Sequence, residues 1–237
     1  MARHLRSVSF PSTRQTNEIK IKDELNSLEA SILPSATIDA VCDGLRRLGD
    51  VYSHIEEIVH LPSNQVCSIQ QKTMLEREME SSLELIDLCG AMQENFVELK
   101  TIIQDLQVVL RRGGNASTQA KIRSYSGLVK EAQKQVKKIS KKTAFDKEEC
   151  KMVRLLINTR VFAISLLEST LCLLSKQVTM PKRSLVSKAF QKRIVVVCEE
   201  EQLQALECTI GDLEDGAELL LRKMIQSRVS LLNILSS

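Results

Sequence analysis

Glu57 and His60 form an E-x-x-H pair, the i, i+3 spacing that sets a carboxylate and an imidazole on one helix face where they could share a metal. A dinuclear carboxylate site needs that pair twice, with further inward-facing Glu residues, and neither His4 nor His54 supplies the second copy. The expected state of Glu57 and His60 is therefore a solvated helix end, without metal. Histidine, the side chain most used for general acid–base work, occurs only three times. No G-x-S-x-G elbow occurs, no Ser, His and Asp grouping has supporting local spacing, and Gly113-Gly114 precedes no Lys-Ser/Thr at the offset of a phosphate loop. The seven cysteines are odd in number, widely spaced and without a C-x-x-C, which is neither a disulfide framework nor a zinc pattern. Cys89 and Cys172 fall within apolar stretches, where cysteine behaves as a small hydrophobe. These residues point to no enzyme and to no cofactor.

Charge is the more informative asymmetry. Between Lys121 and Lys142 stand eight basic residues against Glu131 alone, and Lys130, Lys134, Lys137 and Lys141 share one helix face. Lys182, Arg183, Lys188, Lys192 and Arg193 form a second basic stretch, whereas Glu199 to Glu218 holds eight acids and no base. A basic amphipathic helix can meet an anionic membrane or another polyanion, with lysines on phosphate and an apolar stripe inserted. The plainer expectation is a stripe that faces a bundle and lysines that are solvated or face the acidic stretch. Nucleic acid is disfavoured, because only Tyr125 could stack on a base in that segment and lysine, not arginine, dominates it. At the N-terminus, Arg6-Ser-Val-Ser-Phe-Pro11 places Arg three residues before Ser9 and Pro two after it. That pattern makes Ser7 and Ser9 candidate phosphosites for a basophilic kinase, read afterwards by an arginine-bearing adaptor.

The elements that position these groups follow from hydropathy. Of 237 residues, 43% are hydrophobic and 3% aromatic, with 8 Gly and 4 Pro, which favours an aliphatic core and disfavours turn-rich β folds. Apolar residues recur at three- and four-residue steps in six segments. Ile21 to Ile32 is stopped by Pro34, and Ile38 to Val59 by Pro62, since proline cannot donate the helical hydrogen bond. A third stripe, from Leu85 to Leu110 on a helix beginning near Thr73, ends at Gly113-Gly114, and a fourth runs from Ile122 to Ile139. The fifth, Val153 to Val178, is apolar on two faces, the second being Met152, Leu155, Phe162, Leu166 and Leu173; it is expected to be central and is closed by Pro181. The last runs in unbroken heptad spacing from Leu203 to Ile234 with Ser227 as its one polar position, a coiled-coil-like pattern. Ser184 to Cys198 includes the β-branched run Ile194 to Val197; with no second strand to pair with, it reads as helical.

The expected fold is all-α: an antiparallel bundle of about six long helices with a coiled-coil-like C-terminal helix. The organisation is a disordered basic, Ser-rich tail over residues 1–17 and one helical domain over 18–237, with an internal linker at 113–118. No secretory signal or membrane span is expected, because Arg160 and Glu168 interrupt the most apolar region, Ile157 to Leu174. The expected location is cytoplasmic, with membrane association or organelle targeting by the Arg-bearing N-terminus as alternatives.

Several stretches together resemble a known family: Arg6 to Pro11, Leu61-Pro62, Ser82-Leu-Glu-Leu-Ile-Asp-Leu-Cys89 and Leu106 to Arg112. The closing segment is the most specific, with Leu203-Gln-Ala-Leu-Glu207, Ile210, Leu213-Glu214, Gly216 and Arg228-Val-Ser-Leu-Leu-Asn-Ile-Leu235. Over nearly its whole length the chain resembles the plant BYPASS-like family, a plant-specific domain associated with root and shoot development. That resemblance implies an intracellular helical protein without an established catalytic activity or cofactor, and it carries no functional residues over. The expected role is a protein-interaction or scaffold module, whose partners are other proteins or a second copy. The alternative is a peripheral membrane protein that binds anionic lipid through Lys130, Lys134, Lys137 and Lys141.

Overall fold

The computed structural model describes residues 13–32, 37–60, 69–113, 115–141, 151–178 and 200–236. Among them are six helices and no strand: α1 (Thr13–Ile32), α2 (Ile38–Val59), α3 (Ile69–Arg111), α4 (Asn115–Ser140), α5 (Lys151–Gln177) and α6 (Glu200–Ser236). Each helix buries the apolar stripe read from the sequence, except that the second stripe of α5 is only partly covered, with Met152, Leu155, Phe162 and Leu173 half-buried. Leu45, Leu48 and Ile55 of α2, Met92, Phe96 and Ile103 of α3, and Ile122, Tyr125 and Val136 of α4 are fully enclosed. All ten heptad positions of α6 from Leu203 to Ile234 are buried. Burial of such faces, more than intrinsic propensity, is what stabilises helices of this length.

Local signals set the ends. Thr37 caps α2 by accepting the Ala40 amide at 3.2 Å, and Asp39 places a negative charge at the positive end of the helix. At the end of α3, Gly113 turns left-handed at φ 74° and its amide donates to the Leu110 carbonyl at 3.0 Å. This is a conformation that glycine adopts without the penalty of a Cβ. Three boundaries differ from those expected, the first being that of α3, which begins at Ile69 and not near Thr73. The linker of 113–118 is shorter, because α4 already begins at Asn115 and Thr118 is buried in its first turn. Likewise α1 begins at Thr13, inside the 1–17 stretch read as tail, two residues past the proline that would interrupt it. Ser7, Ser9 and Ser184 to Cys198 lie outside the described residues.

Side-chain pairs fix the directions. Arg111 meets Glu200, Gln104 and Gln107 meet Glu207, and Arg228 reaches the Met79 carbonyl and Ser82, so α3 and α6 run antiparallel. Arg46 lies 4.0 Å from Asp212 while Glu56 accepts from Gln226 and Ser230, so α2 and α6 run parallel. Tyr125 donates to the Leu174 carbonyl and Gln133 to that of Leu171, which makes α4 and α5 antiparallel. The helices thus alternate up and down in chain order. α6 fills the seam between α2 and α3; α4 flanks α3, and α5 closes the bundle against α4, α2 and α1. The heptad of α6 is consumed inside this one chain, so its apolar seam is not available to a second copy.

Candidate functional site

Burial of Ile122, Tyr125, Val129, Ala132 and Val136 commits the inner face of α4 to the core and fixes what its outer face presents. Lys130, Lys134, Lys137 and Lys141 stand on that outer face, all exposed, as a ridge roughly 16 Å long at 1.5 Å per residue. Tyr125 locks the register, donating its hydroxyl to the Leu174 carbonyl at 3.0 Å; burial pushes its phenol well above the usual range. Lys134 pairs with Glu131 at 2.9 Å on its own helix, and among the described residues no acidic side chain pairs with Lys130, Lys137 or Lys141.

The acidic stretch does not face this ridge. Glu200 pairs with Arg111, Glu207 accepts from Gln104 and Gln107, Glu214 lies 3.6 Å from Lys100, and Asp212 faces Arg46. Four acids of α6 are thus met by α2 and α3, and Glu218 by Arg222 on α6 itself, while α4 packs against α3 and α5. Since the apolar stripe of α4 is enclosed, contact with an anionic surface in this fold would be made by the lysines alone.

Among the described residues, no further ligand set gathers around Glu57 and His60. His60 ends α2 with its side chain exposed, its Nε2 lies 3.8 Å from Glu56, and no group of three metal-ligating side chains exists among the described residues. The cysteines divide by burial. Desolvation pushes the Cys89 thiol up to about 12 and the Cys42 thiol up to about 11, with Asp212 adding to the latter. Cys172 and Cys208 are exposed. Alkylation at pH 8 should therefore label Cys172 and Cys208 in the native protein, and Cys42 and Cys89 only after denaturation; peptide mass mapping checks this. Modification of Cys89 in the native state would contradict its burial.

Sequence reasoning missed a buried ion pair. Arg160 of α5 donates through Nε to Glu78 Oε1 at 2.8 Å and through Nη2 to Oε2 at 3.0 Å, with both residues enclosed in the core. The available signal was an arginine inside the most apolar stretch, since such a charge requires a partner when buried. α5 is the one described helix long and apolar enough to cross a membrane by length and composition, despite Arg160 and Glu168. Half of its most apolar window is buried in the bundle. The fork on Glu78 shows how a core helix of a bundle reaches the same composition.

A family model described as Protein BPS1 matches residues 44–234, from the second turn of α2 to the end of the α6 heptad. Neither a curated protein nor a solved structure matches the chain. The matched stretch takes in α3 to α5 whole, most of α2 and nearly all of α6, including the Glu78–Arg160 pair and the lysine ridge, and on that coverage the chain belongs to the BPS1, or BYPASS, family of plant proteins.

Proposed function

We propose that the protein is a non-enzymatic interaction module acting in plant root and shoot development, and that the α4 ridge is the surface through which it recruits partners. The observation that supports this reading is the separation of charge. Four acids of α6 are spent on α2 and α3, and Lys130, Lys134, Lys137 and Lys141 stand exposed for a partner that carries acidic groups. Such a contact is electrostatic, fast to form and sensitive to salt, with a screening length of about 8 Å at physiological ionic strength. Phosphorylation of Ser7 or Ser9 would add a second, switchable contact.

Reversal of all four lysines to glutamate tests the proposal without disturbing the core. The sites are exposed, so the stability cost should be about 0.5 kcal/mol or less per site. Affinity purification from dividing plant tissue, followed by mass spectrometry, should recover partners with the wild type that are lost from the reversed variant. A Ser7→Ala, Ser9→Ala variant in the same experiment reads the tail separately. An identical partner set for wild type and ridge variant would refute the role given to α4.

A further inference from the structure

Apolar side chains left exposed gather along one seam of the bundle. Of the eight large hydrophobics exposed among the described residues, Leu83 of α3 and Ile225, Val229 and Leu232 of α6 stand there, each between 43% and 52% exposed. Arg228 fixes their level, because it reaches from α6 to the Met79 carbonyl and to Ser82 Oγ on α3. Leu83 and Ile86 follow Met79 and Ser82 by four residues, and Ile225 and Leu232 lie three before and four after Arg228. Each therefore shares a helix face with a residue that meets the opposite helix. The inner flank of the seam is core, where Leu85, Met224 and Leu231 are buried. The exposed residues thus line its outer flank together, with Ile86 and Leu221 beside them, partly buried against the core. On α6 the stripe Leu221, Ile225, Val229 and Leu232 repeats at helical spacing over roughly 17 Å at 1.5 Å per residue.

The α3 rim of this seam is acidic. Glu80 and Asp87 are the i−3 and i+4 neighbours of Leu83, and Glu76 stands one turn before Glu80; all three are exposed, and none has an ion-pair partner among the described residues. The nearby cations are occupied or outlying. Arg228 is held by Met79 and Ser82, Arg222 by Glu218, and Lys72 stands a turn before Glu76. An apolar strip edged by unpaired carboxylates repels anionic lipid and nucleic acid, and complements an apolar stripe edged by cations. A partner helix presents such a stripe through residues at i, i+3, i+4 and i+7, the repeat that the α6 strip also follows. We propose that the outer α3–α6 seam docks a basic amphipathic helix of a partner protein, its apolar stripe on Leu83, Ile225, Val229 and Leu232 and its cations toward Glu76, Glu80 and Asp87. The inference is independent of the role given to the α4 ridge, which carries the opposite charge on another helix.

The chain has no tryptophan, so a peptide that carries one reports binding by its own emission. The probe is a synthetic helix of about 18 residues, roughly 27 Å long, with leucine at i, i+3, i+4 and i+7 and lysine on its remaining faces. It should bind saturably at one site per chain. A scrambled peptide of the same composition, and one with glutamate for every lysine, should each bind about tenfold more weakly or worse. Ile225→Glu combined with Val229→Glu should weaken binding by about 10- to 100-fold, with an unchanged helical spectrum because both sites are exposed. Glu76→Lys, Glu80→Lys and Asp87→Lys together should weaken it by about tenfold and flatten its dependence on salt. Val108→Glu, near the far end of α3, should bind normally. Absence of saturable binding, equal binding of either control peptide, or full affinity in either seam variant would overturn the proposal. So would a dimer of the free protein, detected by sedimentation, that Ile225→Glu with Val229→Glu dissociates, since it would assign the seam to a second copy.

Discussion

Arg160→Ala is expected to lower the unfolding free energy by about 3–5 kcal/mol, a large share of the 5–15 kcal/mol typical of a folded domain. The substitution leaves the Glu78 carboxylate enclosed in the core without the two hydrogen bonds, at 2.8 and 3.0 Å, that Arg160 supplies. Glu78→Ala should cost a similar amount, since it strands a guanidinium on α5 in the same place. The informative variant removes both charges. Glu78→Leu with Arg160→Met replaces the pair by apolar groups of comparable length, and it should recover most of the loss or exceed the wild type. Denaturant unfolding at neutral pH measures all three variants. If either single substitution costs less than about 1 kcal/mol, the pair is hydrated and is not the buried clamp between α3 and α5 described above.

Leu45→Ala is expected to cost about 2–5 kcal/mol, because Leu45 is fully enclosed and packs against a glycine of α6. At that point α6 carries Gly216, and a Cβ there would lie 3.1 Å from the Leu45 Cβ and 3.3 Å from its Cδ1. Gly216→Leu should therefore destabilise by overpacking, by about 1–3 kcal/mol or more. Combining the two returns the space that each takes or vacates, so the double variant should be more stable than the sum of the single losses allows, by at least about 1 kcal/mol. Strictly additive losses would place Leu45 and Gly216 apart, and would contradict the parallel packing of α2 on α6.

Most of the architecture is legible in the sequence, because helix periodicity is a local property. The heptad of α6 is buried at every position from Leu203 to Ile234, and Pro34, Pro62 and Gly113 mark real helix ends. Pairing between distant segments is not local, and here the residues alone were insufficient. Arg160 looks like an interruption in an apolar run until α3 brings Glu78, 82 residues away, against it. The acids of α6 could as well have faced the α4 lysines; only the packing of α6 between α2 and α3 turns them toward Arg46, Lys100 and Arg111. The second stripe of α5 is visible as Leu155, Phe162 and Leu166, but no spacing encodes how far α1 covers it.

The candidate interaction site was half legible. Shared helical spacing puts Lys130, Lys134, Lys137 and Lys141 on one face, yet their exposure follows from which side of α4 the bundle claims. Burial of Ile122 to Val136 decides it and leaves the lysines outward.

Restoration of growth in plants that lack this protein reads the central claim most directly. Wild type, the variant with all four ridge lysines changed to glutamate, and a control with four exposed lysines reversed elsewhere would be expressed at matched levels. Root and shoot growth should return with the wild type and the control but not with the ridge variant. Full restoration by the ridge variant would contradict the role assigned to the lysine face of α4.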